Sequence, residues 1–328
     1  MTNKQIRHFF EYISPKNFIE YSEKFFKVRG ISLIDFYLKV FRYGATFNDY
    51  CTYRFYDFKH VKRRECMTLL KSHKVWNGIN DKKAIQVFSK REFNYHFAEF
   101  RSIKWIDCVK SSFDEFRNWV KDKEYIIMKD PKDTCGRGVH KLKIDDLNLD
   151  DYRKYFPSNY LFEEYFFQDG YLHDLNPASL NTIRVYTLVD VDGNVFIPCA
   201  ILRIGVGSSH LDNAHAGGLF AQIDVDSGIV ISSGLNYYNE RYPFHPISRK
   251  QIIGMCVPRW ENVKKTVIKA TEILPNGIHY VGWDVALSSS AITLIEGNEN
   301  ADFMIQEVAT GNTLWPYYKK FLKTIKKK

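Results

Sequence analysis

The chain has 328 residues, 45% hydrophobic and 16% aromatic, with a formal charge of +9, a length and composition that suit several subdomains around real cores. No run reaches the roughly 18 uncharged apolar residues of a membrane helix; the best candidate, Val195 to Val206, is broken by Arg203. The charge does not mark a nucleic-acid binder, because six of the nine positive charges belong to a tail, Lys319, Lys320, Lys323, Lys326, Lys327 and Lys328, that follows the last acid, Glu307.

That tail reads as a solvated end or, more sharply, as a weak attraction to an anionic membrane surface. The opening MTNKQIRHFFEYISPKNF lacks the pattern of a secretory signal. Cys51, Cys66, Cys108, Cys135, Cys199 and Cys256 show no paired spacing. Together these suit a reducing cytoplasm, with neither a disulfide frame nor a zinc knuckle.

In chain order, residues 1–75 carry helical spacing of large apolar residues, first Phe18, Tyr21, Phe25 and Phe26, then Ile34, Tyr37, Leu38 and Phe41. The basic run KHVKRR, Lys59 to Arg64, falls on a helix face. Near residue 120 the pattern changes to strands: YIIMK, TIRVYTLV, NVFIPCAILRIGV, LFAQIDV, YVGWDVAL and AITLIEG, punctuated by the turns VDGN, VDSG and LPNG. One helix interrupts them at ENVKKTVIKATEIL, with Val263, Val267, Ala270 and Leu274 on one face. The class is α+β, with a helical front and a mostly antiparallel back.

Two stretches carry chemistry. YIIMKDPKDTCGRGVHKLKI sets Lys129 at a strand end before a loop with Gly136 and Gly138, and His140, Leu142 and Ile144 alternate on the way back. Glycines there admit phosphate oxygens to backbone amides and the lysine adds a point charge; a plain glycine hairpin is the alternative. The spacing fits neither a P-loop nor a dinucleotide fingerprint. In GWDVALSSSAITLIEGNENA, Glu296 and Asn298 lie two apart and share a strand face. A serine loop of about three or five residues brings Asp284 to that face. Two carboxylates and an amide oxygen suit Mg²⁺ held jointly with phosphates; a solvated sheet face is the alternative.

The order of these features, a strand-end lysine, a glycine hairpin, an acidic linker strand YLFEEYFFQD and a late Asp…Glu-x-Asn set, resembles the ATP-grasp superfamily. The run ASLNTIRVYTL…CAILRIGVGSSHLDNAHAGGLFAQID…GWDVAL…LIEGNEN resembles the sugar-transfer-associated ATP-grasp proteins of bacterial surface-polysaccharide clusters. The similarity runs from about Asp81 to Thr313. It implies an ATP-grasp fold with a helical N-terminal region (1–75), an N-terminal or central part (76–120), a small lid (121–170) and a larger, mostly antiparallel C-terminal part (171–328). The nucleotide would lie between the last two.

By the same resemblance, ATP is held by Lys129 and Lys82, by the lid residues Gly136, Arg137, Gly138 and Val139, and by the linker residues Glu163, Glu164 and Phe166. Asp284, Glu296 and Asn298 become ligands of one or two Mg²⁺ ions, with Mn²⁺ a substitute. Arg184 and Arg203 point at the γ-phosphate and acyl intermediate, with Asn213 and His215 in the adjoining loop. Read without the resemblance, the arginines are outward residues of exposed strands, and His215 merely orders its loop. Two departures stand out: Asp130 intervenes between Lys129 and Pro131, and the linker continues Gln168-Asp169, which leaves the ribose contact unassigned.

The implied activity is a cytoplasmic, ADP-forming ligase. It would join a carboxylate-bearing sugar or amino acid to an amine acceptor for a surface polysaccharide, with no nucleic-acid partner. A kinase using the same site and a non-catalytic nucleotide-binding partner of glycan enzymes are the alternatives.

Overall fold

The computed structural model describes residues 10–24, 32–57, 62–130, 138–146, 159–207, 212 and 217–326. Phe25 and Phe26 lie outside them, as do Lys59, His60 and Val61 of the basic run and, among the site expectations, Gly136, Arg137, Asn213 and His215; Lys62, Arg63 and Arg64 form a turn rather than a helix face. Among the described residues no helix is long and apolar enough to cross a membrane.

The front is helical: α1 (Pro15–Lys24), α2 (Leu33–Tyr43), α3 (Phe47–Thr52) and α4 (Leu69–Ile79). Ser32 caps α2 by accepting from the Asp35 amide, and Gly44 ends it in the left-handed region at φ 66°. The helix is where periodicity places it, but its buried face is a different one. Phe36 and Val40 are buried, whereas Ile34, Leu38 and Phe41 are exposed. Two apolar stripes compete on this helix, and the partner decides: Phe36 stacks on Phe18 at 4.4 Å and meets Tyr50 edge-on at 5.5 Å.

Next come α5 (Lys90–His96), β1 (Trp105–Asp107), α6 (Phe113–Val120), β2 (Tyr125–Lys129), β3 (Val139–Lys143), β4 (Leu161–Glu164) and α7 (Gly170–Leu175). The strands form an antiparallel sheet in the order β1-β4-β2-β3. Phe116 of α6 covers it, packing on Phe162 at 4.8 Å. Because β1 pairs with β4, this small sheet draws on residues before 121, so the change of character near residue 120 is not a boundary of the sheet.

The rest builds the larger sheet from β5 (Thr182–Val189), β6 (Val195–Ile204), β7 (Leu219–Ile223), β8 (Gly234–Leu235), β9 (Arg241–Tyr242), β10 (Tyr280–Leu287) and β11 (Ile292–Asn298). Its order is β11-β10-β5-β6-β7-β8-β9, antiparallel throughout. Helix α8 (Trp260–Glu272) covers one face, burying Val263, Val267 and Ala270 with Trp283 and Val185. The other face packs on α4, α9 (Phe303–Thr310) and α10 (Trp315–Ile325) through Tyr280, Phe303, Tyr318 and Leu322. The basic tail is thus partly a packed helix: Tyr318, Phe321 and Leu322 face inward while Lys319, Lys320 and Lys323 stay outside.

Candidate active site

The two sheets meet over a cavity of about 580 Å³, within the ordinary range for small-molecule sites. The small sheet and its linker contribute Ile127, Lys129, Val139, Lys141, Glu163, Glu164 and Phe166. The large sheet contributes Arg184 and Tyr186 from β5, Ile201 and Arg203 from β6, Asp284 from β10, and Glu296 and Asn298 from β11. Phe88, Phe93 and Ile103 add an apolar wall.

The hairpin β10–β11 reaches the face parity that the metal reading requires, by a device the sequence did not announce. Leu287 pairs with Ile292 across a four-residue turn, and Val285 pairs with Leu294. Continued regularly, that register would set Asp284 opposite Ile295 and turn Glu296 away. A bulge between Asp284 and Val285 takes up one residue, so Asp284 pairs with Glu296 and Gly282 with Asn298.

The strands beside this hairpin bring two arginines onto Asp284. Asp284 pairs with Arg184 across β5, and Arg184 forks onto both its oxygens, Nε to Oδ1 and Nη2 to Oδ2 at 2.8 Å. Arg203 donates through Nη1 to Oδ2 at 2.8 Å and pairs through Nη2 with Asp212 at 2.9 Å. Asp212 in turn accepts from the Thr182 amide at 3.0 Å. The two arginines therefore line the cavity rather than face solvent, with side chains 13% and 18% exposed.

The electrostatics of the acid pair are asymmetric. Burial pushes the Asp284 carboxyl up, but the Arg184 and Arg203 guanidiniums outweigh it and hold the group well below the usual carboxylate range. Burial and the neighbouring Asp284 charge instead push Glu296 up. The two carboxyls face one another across the β10–β11 pair, and Asn298 Nδ2 donates to Glu296 Oε1 at 3.1 Å. Guanidinium donors take three of the roughly four lone-pair directions of Asp284. What remains is one direction on Asp284, the Glu296 carboxyl and the Asn298 carbonyl, three oxygens that could serve a cation.

That donor set fits Mg²⁺. Among the described residues no three His, Cys, Asp or Glu side chains gather into a site of their own, so the oxygens here fall short of an all-protein cage. Mg²⁺ favours such partial sets, completed by water and phosphate oxygens.

On the opposite wall, Lys129 Nζ lies 2.7 Å from Glu163 Oε2, and Arg101 Nη2 lies 3.0 Å from Glu163 Oε1. Asn94 Nδ2 donates to the same Oε1 at 2.9 Å. Burial raises the Glu163 carboxyl, but Arg101 and Lys129 outweigh it and bring it down to about 2. Glu163 is therefore a buried counter-ion for Lys129. Glu164 pairs outward with Lys123 at 2.8 Å, and half-buried Phe166 lines the cavity.

Lys82 does not reach this cavity. It is exposed, and the Asp81 amide beside it donates to Gly277 O at 2.8 Å, which holds the segment to the turn before β10. Two other lysines line the cavity. Lys90, just after the α5 cap Ser89, donates to Asp130 O at 2.5 Å, and Lys141 sits between the rings of Tyr125 and Tyr165 at 4.0 and 3.8 Å. The cap Ser89-Lys-Arg-Glu92 was a readable signal for the first; a lone lysine on a short strand gives none for the second.

The sequence profile of the sugar-transfer associated ATP-grasp family matches residues 154–324, more than half of the chain. No curated protein matches it. Among solved structures, the ATP-grasp ligase PsnB complexed with minimal precursor, Mg and ADP aligns with a TM-score of 0.46 and 15% identity, over 76% of this chain and 62% of that one. A biotin carboxylase complex from Campylobacter jejuni aligns with a TM-score of 0.49 and 13% identity, over 74% and 47% of the two chains. N5-carboxyaminoimidazole synthetase from Staphylococcus aureus, complexed with ADP, gives 0.48 and 9%, over 75% and 54%. This chain thus spans about half to three-fifths of the length of those proteins. On the strength of the profile match, the chain belongs to the sugar-transfer-associated ATP-grasp family and is built on the α+β ATP-grasp fold.

Proposed function

We propose that the chain is an ATP- and Mg²⁺-dependent carboxylate ligase, forming ADP and an amide or peptide-like bond on a sugar acid or amino acid. Its setting would be the bacterial cytoplasm, in surface-polysaccharide biosynthesis such as capsule or O-antigen. The observation that carries the reading is the convergence of Lys129 from one sheet with Arg184, Arg203, Asp284, Glu296 and Asn298 from the other on a single cavity. Membership of a family described by its association with sugar transfer supports the pathway.

In the proposed reaction a carboxylate oxygen of the acid attacks the γ-phosphorus of ATP. The bond from that phosphorus to the β,γ-bridging oxygen breaks, and ADP leaves. The nitrogen of an amine then attacks the acyl carbon, phosphate departs and the nitrogen loses a proton. Such chemistry asks the protein mainly for alignment and charge neutralisation. Mg²⁺, when bound by Asp284, Glu296 and Asn298, would neutralise phosphate charge.

The protein's own groups do the rest of the positioning. Asp284 fixes the Arg184 and Arg203 forks side by side, ready to orient phosphoryl and carboxylate oxygens. Lys129, steadied by Glu163, presents a point charge from the lid. Glu164 and Phe166 would border the adenine through their backbone, with Gly138 and Val139 at the start of β3 over the phosphates. We assign no phosphate contact to Lys82.

The test is incubation with ATP, Mg²⁺ and pooled uronic acids, amino acids and amines, followed by ADP, free phosphate and product masses. ADP with phosphate and a condensed product supports the ligase. ADP with a phosphorylated acceptor, or binding without consumption across broad pools, overturns it.

A further inference from the structure

Arg101 follows the short helical turn after α5 and reaches β11 at the bulge. Its Nη1 donates to the carbonyls of Leu294 and Ile295, 2.9 and 3.3 Å away. The neighbouring Ser102 amide donates to Thr293 Oγ1 at 3.1 Å. Ile295 is the residue that the β10 ladder leaves unpaired, so its half-buried carbonyl takes a donor from elsewhere. The same guanidinium meets Glu163, whose other oxygen holds Lys129. One continuous chain of contacts thus joins the lid lysine to the bulge that orients Glu296.

The placement is costly. The Arg101 side chain is 1% exposed, and among the described residues neither its Nε nor its Nη2 makes a hydrogen bond, the Nη2 contact with Glu163 being an ion pair alone. A buried guanidinium with an unmet donor is a poor choice for stability alone, since apolar packing of similar volume often serves as well or better.

We propose that Arg101 is a positioning residue: it fixes the bulge that turns Glu296 and Asn298 toward Asp284 and, through Glu163, couples that oxygen set to Lys129. This rests on the ATP and Mg²⁺ reading given above. It predicts that loss of Arg101 harms ion binding far more than nucleotide binding, a split that general loosening of the core does not produce.

The test uses the full chain with ADP and Mn²⁺, reading free Mn²⁺ by electron paramagnetic resonance and amide exchange along β11. In Arg101→Met, Mn²⁺ affinity at saturating ADP falls by about 10- to 100-fold, whereas ADP affinity in chelator changes by less than about threefold. Amides 295–297 lose protection while those of β5 and β6 keep it, and Arg101→Lys recovers part of the ion affinity. Because Arg101→Met takes one of its two cationic partners from buried Glu163, the double variant Arg101→Met/Glu163→Gln guards against simple misfolding and is predicted to show the same loss of Mn²⁺ affinity. Unchanged Mn²⁺ affinity, or wild-type exchange at 295–297, overturns the assignment. If the wild type binds neither ADP nor Mn²⁺ the nucleotide reading fails, and the exchange data still decide whether Arg101 holds the bulge.

Discussion

Gly282 leaves the room that Arg184 occupies: a Cβ at that position would stand 3.0 Å from Arg184 Cδ and 2.5 Å from Ala301 Cβ. The strand position opposite Asn298 is therefore closed to any side chain. Gly282→Ala forces either Arg184 off Asp284 or β10 away from Ala301. Overpacking of this kind costs about 1–3 kcal/mol. The variant is expected to melt at a lower temperature and to consume ATP more slowly; retention of both wild-type values would contradict this account of Arg184.

The lysines give a contrast on one wall. Lys129 lines the cavity and Lys82 is exposed outside it. Titration calorimetry with a non-hydrolysable ATP analogue should show Lys129→Met binding about tenfold more weakly, as loss of one charged hydrogen bond would predict. Lys82→Ala should bind like the wild type, within about twofold by the same reasoning. Equal losses in the two variants would restore Lys82 to the site.

Stability should fall as pH rises from mildly acid to neutral, because two acids buried between the helical front and the large sheet favour their protonated forms. Burial lifts Glu307 to about 7 and Asp49 to about 6. Glu307 ties the Met67 and Leu314 amides, and Asp49 ties those of Thr46 and Leu69. A folded value above the unfolded one means stability that is complete in acid and lost on passing through the folded value. The window runs from about 4.5 to about 7 for Glu307. Glu163 and Asp284 are shifted the other way, so their contributions disappear only in stronger acid. The melting temperature of the wild type is expected to drop across that window, and Glu307→Gln to flatten the drop. An identical slope in the variant would show that Glu307 is not responsible.

Most of the sheet was legible in the sequence, because strand runs such as YIIMK and TIRVYTLV are short, apolar and rich in β-branched and aromatic residues, and turns such as VDGN carry glycine. The face of α2 was not, since Ile34, Leu38 and Phe41 are as helical in spacing as Phe36 and Val40, and only packing against Phe18 separates them. Loop length was a poor guide to the β10–β11 hairpin: a four-residue turn with a bulge gives the same facing as the three- or five-residue turn that simple parity asks for. A bulge has no composition of its own, and neither does a lone arginine such as Arg101, whose partners lie more than sixty positions away in Glu163 and in β11.

If Asp284 and Glu296 hold the ion that ATP chemistry needs, their loss must show in the rate of ATP consumption, with Mg²⁺ and the acid and amine pools, by the double variant Asp284→Asn/Glu296→Gln beside the wild type. A loss on the order of 100-fold or more is predicted, the scale seen when a charge-stabilising contact is removed. Turnover at the wild-type rate, in a variant that still folds, would contradict the metal assignment and the reading built on it.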